Sequence, residues 1–92
     1  MITAFVLVSV EAHSIPETAQ EIADLDGVAE VYSCAGDIDL IVMIRVREHE
    51  QLAEVIAGRL SKVAGVVRTD THIAFRSYAR RDVEAGFSVG QE

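Results

Sequence analysis

The sequence of 92 residues predicts a single α+β domain with the element order β-α-β-β-α-β. Three observations support this order: four runs rich in β-branched residues, two segments with apolar residues at helical spacing, and glycine after each of those segments. Two βαβ halves of this kind form the ferredoxin-like αβ-plait, an antiparallel four-stranded sheet with two helices on one face. We expect right-handed crossovers and the strand order 4-1-3-2.

The four predicted strands are short apolar runs bounded by polar residues or glycine. In chain order they cover residues 2–10, 28–35, 38–46 and 66–77. Only Gly36 and Asp37 separate the second run from the third, and a Gly-Asp turn between two strand patterns is typical of a β-hairpin. The two middle strands are therefore predicted to be antiparallel.

The two predicted helices cover residues 14–27 and 48–63. Ser14 and Glu17 have the spacing of a capping box, which marks the start of the first helix. Gly27 is predicted to end that helix in a left-handed conformation, and Gly65 stops the second. Both glycines stand in the pattern apolar-x-Gly-Val, which gives the two halves of the chain a weak internal repeat.

The first and third strands are apolar on both faces, although two helices cover only one face of a four-stranded sheet. Antiparallel sheets with a wet face normally alternate apolar and polar residues. A second copy of the chain is the simplest cover for the other face, and we expect a homodimer formed by sheet-on-sheet packing. Its centre is assigned to Phe5, Leu7, Ile41 and Met43; the reverse assignment of the two faces stays open.

The net charge of −7, from 15 acidic and 8 basic residues, excludes the overall basic footprint of a duplex-DNA-binding protein. The single cysteine, Cys34, rules out an internal disulfide bond. No apolar run has the length of a membrane span, and no signal-peptide pattern precedes the first strand. We therefore expect a cytoplasmic protein with no direct contact to nucleic acid or membrane.

The residues that most often carry catalysis or bind metal are scattered along the sequence. His13, His49 and His72 are isolated, and none has a second ligand at zinc-site spacing. Cys34 has no base beside it and fits a small buried hydrophobic residue. No phosphate-binding or dinucleotide-binding glycine motif is present. The sequence thus predicts neither catalytic residues, nor a metal site, nor a cofactor.

Residues around the hairpin turn have the chemistry to bind a small zwitterion. Gly36 lets backbone N–H groups point at an anion, and Asp37 or Asp39 can accept hydrogen bonds from an ammonium group. Thr69 and Thr71 place two hydroxyl groups on one strand face, about 7 Å apart. This combination suits a free α-amino acid. The alternative, in which these are ordinary turn residues and strand threonines, stays open from the residues alone.

Two segments of the sequence resemble the signatures of a known family. Gly27-Val28-Ala29-Glu30-Val31-Tyr32-Ser33-Cys34-Ala35-Gly36-Asp37-Ile38-Asp39-Leu40 resembles the G-V-x-x-x-y-x-x-x-G-D-y-D-l motif of the Lrp/AsnC effector-binding (RAM) domain. Gly65-Val66-Val67-Arg68-Thr69-Asp70-Thr71-His72-Ile73-Ala74-Phe75 resembles its second motif, G-V-x-x-t-x-T-x-i-v-l. The similarity spans about residues 2–77, so we expect a RAM domain over residues 1–78 and a C-terminal tail over residues 79–92.

The resemblance implies a plait that dimerises through its sheets and assembles further into rings, often of four dimers (an octamer). It implies an amino acid bound in clefts between dimers, with the ligand contacts on Gly36, Asp37, Ile38, Asp39, Thr69 and Thr71. Ile38 occupies a position that is often aromatic in the family. The chain begins at the first strand, without a helix-turn-helix domain, and so resembles the stand-alone RAM proteins.

These points predict a non-enzymatic amino-acid sensor or modulator of transcription. Co-assembly with a full-length Lrp/AsnC regulator is a further hypothesis. One rival interpretation is a small dimeric α+β barrel enzyme of the monooxygenase or isomerase type, for which His72 is the candidate residue. Another is a structural assembly module in which the loop 36–39 makes only subunit contacts. In the tail, Val83, Phe87 and Val89 either pack on a neighbour or stay loose.

Overall fold

The computed structural model describes residues 1–80 and has the expected α+β plait. Its strands are β1 (Ile2–Val10), β2 (Val28–Ser33), β3 (Leu40–Val46) and β4 (Val66–Ile73). Its helices are α1 (Ile15–Ala23) and α2 (His49–Ile56), and short 3₁₀ turns lie at Ala12–Ser14 and Leu60–Lys62. The expectation for the tail residues Val83, Phe87 and Val89 lies outside the described residues.

The sheet has the order β2-β3-β1-β4, which is the predicted order, and every neighbouring pair is antiparallel. In the central pair, Thr3 lies opposite Arg45 and Val8 lies opposite Leu40. On the other side of β1, Val8 lies opposite Thr69. Because directly paired residues point to the same face, this register assigns each side chain of the sheet to one of two faces.

The hydrophobic core lies between the sheet and the helices. Alternate residues of the two central strands are buried on this side: Ala4, Val6, Val8 and Val10 from β1, and Leu40, Val42, Ile44 and Val46 from β3. Ile22 of α1, Leu52 and Val55 of α2, and Leu60 of the second 3₁₀ turn cover them. The core is therefore formed by alternate residues of the two central strands and by the apolar residues of the helices and the second 3₁₀ turn.

The opposite face of the sheet is uncovered. Phe5 keeps 38% of its surface exposed, and Leu7, Ile41 and Met43 are half-buried. These are the four residues that the sequence assigns to the outer face, and the reverse assignment is wrong because Ala4, Val6 and Val8 are fully buried beneath the helices.

The second helix is shorter than predicted. It ends at Ile56 instead of Val63, and the chain continues through Gly58 into the 3₁₀ turn at Leu60–Lys62. Glycine is a poor helix former, and a Cβ atom on Gly58 would stand 2.5 Å from the carbonyl oxygen of Glu54. Leu60 and Val63 have the apolar spacing of a helix in the sequence. The 3₁₀ turn also places both side chains in the core.

The predicted capping box of the first helix is wrong. The side chain of Ser14 makes no cap hydrogen bond; its hydroxyl donates to the carbonyl of Glu11, because a 3₁₀ turn precedes the helix. A capping box forms at α2 instead, where Glu48 and Gln51 exchange hydrogen bonds. Glutamate is not among the preferred N-cap residues, so sequence propensity does not indicate this cap.

Two strand ends also differ from the prediction. The loop between β2 and β3 comprises residues 34–39, not only Gly36 and Asp37. At the other end of the sheet, β4 ends at Ile73 and not at Ser77. The backbone N–H of Ala74 still donates to the carbonyl of Thr3, at 2.9 Å. Beyond that point β1 has almost no residues left to pair with, so the strand cannot continue on it.

The internal repeat is visible in the structure. Gly27 and Gly65 both have positive φ, +94° and +96°. Each glycine carbonyl accepts a hydrogen bond from the neighbouring strand region, Gly27 from the N–H of Arg45 and Gly65 from the N–H of Glu11. The left-handed glycine expected after the first helix is therefore confirmed, although α1 itself already ends at Ala23.

Candidate functional site

The loop 34–39 that joins β2 to β3 is closed by one backbone hydrogen bond and open to solvent at its tip. The N–H of Cys34 donates to the carbonyl of Asp39 at 2.8 Å. Gly36 has φ +132°, and no atom lies within 4 Å of the position that a Cβ would take. Gly36 and Asp37 are exposed, so their backbone and carboxylate groups are accessible to a ligand or a second chain.

Asp39 connects the loop to β1. Its backbone N–H donates to the carbonyl of Val8 at 3.0 Å, and its Oδ2 accepts a 2.8 Å hydrogen bond from the N–H of Val10. The second bond satisfies a backbone donor at the end of β1. One oxygen of Asp39 is therefore engaged within the chain, whereas Asp37 has its carboxylate in solvent.

Thr69 and Thr71 lie on β4, on the face that carries the helices. They pair with Val8 and Val6, respectively, whose side chains are buried on that face. Thr69 is half-buried and Thr71 is exposed on β4, which is an edge strand of the sheet.

The fold brings Asp39 and Thr69 to the same end of the sheet, one on each side of β1. The backbone N–H of Asp39 donates to the carbonyl of Val8, and Thr69 lies opposite Val8 on β4. Two strand spacings separate them, about 10 Å. Thr71 lies two residues farther along β4. The six predicted ligand residues thus border one corner of the chain but do not enclose a volume by themselves.

Two depressions in the surface of residues 1–80 are lined by residues other than the six predicted ligand residues. The smaller lies between Gly27, Val55 and Arg59. The larger lies on the uncovered face and includes Phe5, Arg45 and Arg76. Sequence reasoning missed the larger depression, because Arg45 and Arg76 are far apart in the chain. The only sequence signal is Arg45 itself, which interrupts the apolar pattern of β3.

His72, the residue that would serve an enzyme, lies on the uncovered face beside Asp70. Its Nε2 is 3.3 Å from Oδ2 of Asp70, and both side chains are well exposed. Within residues 1–80, no group of three His, Cys, Asp or Glu side chains is arranged to hold a metal ion. None of the helices in this part of the chain has the length and apolar character needed to cross a membrane.

One titratable group on the edge strand β2 is perturbed. The hydroxyl of Tyr32 donates a hydrogen bond to the carboxylate of Glu30. This bond, with a small contribution from desolvation and from the negative charge of Glu30, raises the pKa of Tyr32 above its ordinary value of 10.0. The hydrogen bond exists only while the phenol is protonated, so Tyr32 pairs with Glu30 in that form.

Comparison with known proteins defines the class first. The HTH-type transcriptional regulator FL11 of Pyrococcus horikoshii is 33% identical over 75 residues, which are 82% of this chain and 49% of the regulator. The crystal structure of TTHA0845 from Thermus thermophilus is 41% identical with a TM-score of 0.81, and the match covers 87% of this chain and all of that one. The fold is thus that of a domain found in transcriptional regulators.

The particular family follows from a family model and a further structure. The model of the Lrp/AsnC ligand binding domain matches residues 3–84, and the chain belongs to this family. The feast or famine regulatory protein of M. tuberculosis, solved in complex with L-methionine, is 26% identical with a TM-score of 0.68, over 87% of this chain and 54% of that one. The chain spans about half the length of the curated relatives it matches.

Proposed function

We propose that this protein binds a free amino acid as an effector and uses the ligand to control assembly with other copies or with a regulator. The observation that carries the proposal is the corner formed by loop 34–39 and β4, where Asp39 and Thr69 flank Val8. The regulatory protein solved with L-methionine supports the ligand class.

The chemistry of the corner fits an α-amino acid. The exposed carboxylate of Asp37 suits the ammonium group, since charge-assisted hydrogen bonds are stronger than neutral ones. The open backbone at Gly36 and the hydroxyl groups of Thr69 and Thr71 suit the carboxylate. Ile38 is half-buried and offers an apolar contact for the side chain of the bound amino acid.

The site needs a second subunit to close. The six residues border a corner that is open to solvent, whereas small-molecule sites usually bury most of the ligand surface. A neighbouring copy that packs against β4 and the loop would supply the missing wall. In this proposal the ligand stabilises the contact between subunits, and an amino-acid signal becomes a change of assembly state.

The uncovered sheet face supports a homodimer as the building unit. Phe5, Leu7, Ile41 and Met43 form an apolar surface that a second sheet would cover. Higher rings such as an octamer, co-assembly with a full-length Lrp/AsnC regulator, and a cytoplasmic location belong to the same proposal. DNA contact and catalysis are not part of it, and the purely structural module remains the rival outcome.

A thermal-shift and calorimetry screen of the twenty amino acids, with the particle mass followed by light scattering, tests the proposal. A ligand at about 100 times its dissociation constant should add about 2.7 kcal/mol of stability. Asp37→Ala and Thr71→Ala should abolish that shift, while Glu21→Ala, an exposed acid on α1, should leave it unchanged. If no amino acid shifts the transition, the proposal of an amino-acid sensor fails.

The enzyme alternative has one observation in its favour, the contact between His72 and Asp70. An aspartate beside a histidine can hold the imidazole in one orientation for proton transfer. Both side chains are exposed on the uncovered face, where a dimer would cover them. A haem absorbance band, or turnover that His72→Gln abolishes, would establish the enzyme.

A further inference from the structure

The uncovered sheet face carries a pair of ionisable side chains on each of its two edge strands, β2 and β4. The strand register arranges these pairs and the four apolar residues of the proposed dimer contact in two neighbouring rows across the sheet. One row consists of Glu30, Met43, Phe5 and His72, and the next consists of Tyr32, Ile41, Leu7 and Asp70. The apolar centre of the face therefore lies between two pairs of titratable groups.

The two edge pairs respond differently to pH. On β2, the hydroxyl of Tyr32 donates to the carboxylate of Glu30, and a phenol stays protonated over the whole range in which histidine titrates. On β4, Nε2 of His72 lies 3.3 Å from Oδ2 of Asp70. An imidazole changes its charge between about pH 5 and 8. The β4 pair is therefore neutral when the imidazole is protonated and negative when it is not.

The other charged groups of this face are arginines that lie beyond the two rows. Arg68 is on β4 toward the loop end of the sheet, whereas Arg45 and Arg76 are at the end where β1 begins. From the strand rise and spacing, the Cα atoms of Arg68 and Arg45 lie roughly 12–13 Å from that of His72. Within one chain, the nearest charge to the imidazole is therefore the carboxylate of Asp70.

In the homodimer proposed above, a second copy covers both edge pairs. The side chains of His72 and Asp70 are 60% and 67% exposed in one chain, and the β1 residues opposite them belong to the dimer contact. Two sheets that pack aligned keep their strands within about 30° of each other, so an edge strand of one copy faces an edge strand of the other. Each edge carries a carboxylate. The covered face then holds two carboxylates, Glu30 and Asp70, for each imidazole.

We propose that His72 makes the association of two copies dependent on pH, with the contact strengthened when the imidazole is protonated. The proposal rests on the homodimer proposed above. A protonated imidazole leaves a neutral pair at the contact, whereas a neutral imidazole leaves the carboxylate of Asp70 uncompensated where water is excluded. A proton held more tightly in the dimer strengthens association below the ordinary histidine pKa of about 6.5, and this gain is lost as the pH rises through the value in the dimer.

Sedimentation analysis of the full chain over a range of subunit concentrations, without amino acids, tests the proposal at about pH 5.5 and about pH 8. The dimer dissociation constant should be about tenfold or more lower at the acidic pH, which corresponds to about half a pKa unit at each of two histidines. His72→Gln should remove this difference. Asp70→Asn should also remove it, and should not weaken the dimer at the alkaline pH, because it takes away the uncompensated carboxylate.

His13→Gln is the matched control. His13 also lies beside an acid, with its Nε2 3.7 Å from Oε1 of Glu11, but it belongs to the 3₁₀ turn before α1 and not to the sheet. This variant should keep the wild-type dependence on pH. The control separates the effect of His72 from a general effect of the net charge of −7.

Two results would overturn the proposal and leave the homodimer standing. One is a dimer with the same dissociation constant at both pH values, and the other is a difference that His72→Gln leaves intact. A chain that is monomeric at every concentration and both pH values would overturn the homodimer, and the proposal with it. The amino-acid screen is a separate measurement, so the sensor and this switch can fail independently.

Discussion

The hydroxyl oxygen of Thr18 lies 2.5 Å from the position that a Cβ atom would take on Gly65. The same hydroxyl donates a 3.0 Å hydrogen bond to the carbonyl of Ala64, the residue before this glycine. Thr18 is buried in α1, so the contact fixes that helix against the turn that leads into β4. Thr69 and Thr71 follow directly on that strand, and this packing therefore positions the β4 side of the proposed site.

Gly65→Ala should lower the free energy of unfolding by about 2–3 kcal/mol. The added Cβ would overlap the Thr18 hydroxyl, and alanine is disfavoured at φ +96°. Gly36→Ala is the matched control, since it has φ +132° but no atom within 4 Å, and should lose only about 1 kcal/mol. Urea denaturation measures both. Equal losses would show that the contact with Thr18 contributes nothing.

Thr18→Val should destabilise the protein by about 1–2 kcal/mol, because the valine keeps the shape but leaves the carbonyl of Ala64 without its donor. Thr18→Ser keeps the hydroxyl and serves as the control. If the valine variant unfolds at the wild-type urea concentration while the serine variant is weakened, methyl packing and not the hydrogen bond holds this helix.

The order of the strands was predictable from the element order β-α-β-β-α-β with right-handed crossovers. The two faces of the sheet were predictable from alternation, which each strand shows locally. The 3₁₀ turn at Leu60–Lys62 was not predictable, since Leu60 and Val63 continue the helical spacing of the apolar residues before them. Gly58 is the local signal for this break, and the helical apolar pattern around it outweighs a single glycine.

The candidate site was predictable only in part. The exposed loop at Gly36 and Asp37 follows from composition. The role of Asp39 does not, because its hydrogen bond to Val10 spans 29 positions in the chain. The pairing of Arg45 with Thr3 likewise depends on strand register, which residue types alone do not determine.

Leu7→Glu should convert the proposed dimer into a monomer of about 10 kDa, because a carboxylate in an apolar contact, opposite Ile41 and Asp70, would be buried without a cationic partner. Val67→Glu places the same charge on an exposed position of β4 and serves as the control. Sedimentation equilibrium gives the masses. A Leu7→Glu variant that keeps the wild-type mass would mean that subunits associate through another surface.

Tyr32 should titrate above its ordinary pKa of 10.0, since the hydrogen bond to Glu30 favours the protonated phenol. The other tyrosine, Tyr78, is removed by Tyr78→Phe, so that ultraviolet absorbance reports Tyr32 alone. Adding Glu30→Gln should lower the midpoint. A pKa raised in the folded state contributes stability that is present below about pH 10 and is lost as the pH rises through the folded pKa. An unchanged midpoint in the Glu30→Gln chain would contradict the pairing.

The two loop aspartates should separate stability from binding. Asp39→Ala removes the acceptor of the Val10 N–H and should cost about 1–2 kcal/mol of stability. Asp37→Ala removes an exposed carboxylate and should change stability by less than about 0.5 kcal/mol, while it abolishes the thermal shift caused by an amino acid. Urea denaturation without ligand, followed by the thermal-shift assay, measures the two effects. If Asp37→Ala retains the shift and Asp39→Ala loses it at unchanged stability, Asp39 is the ligand residue and its bond to Val10 is incidental.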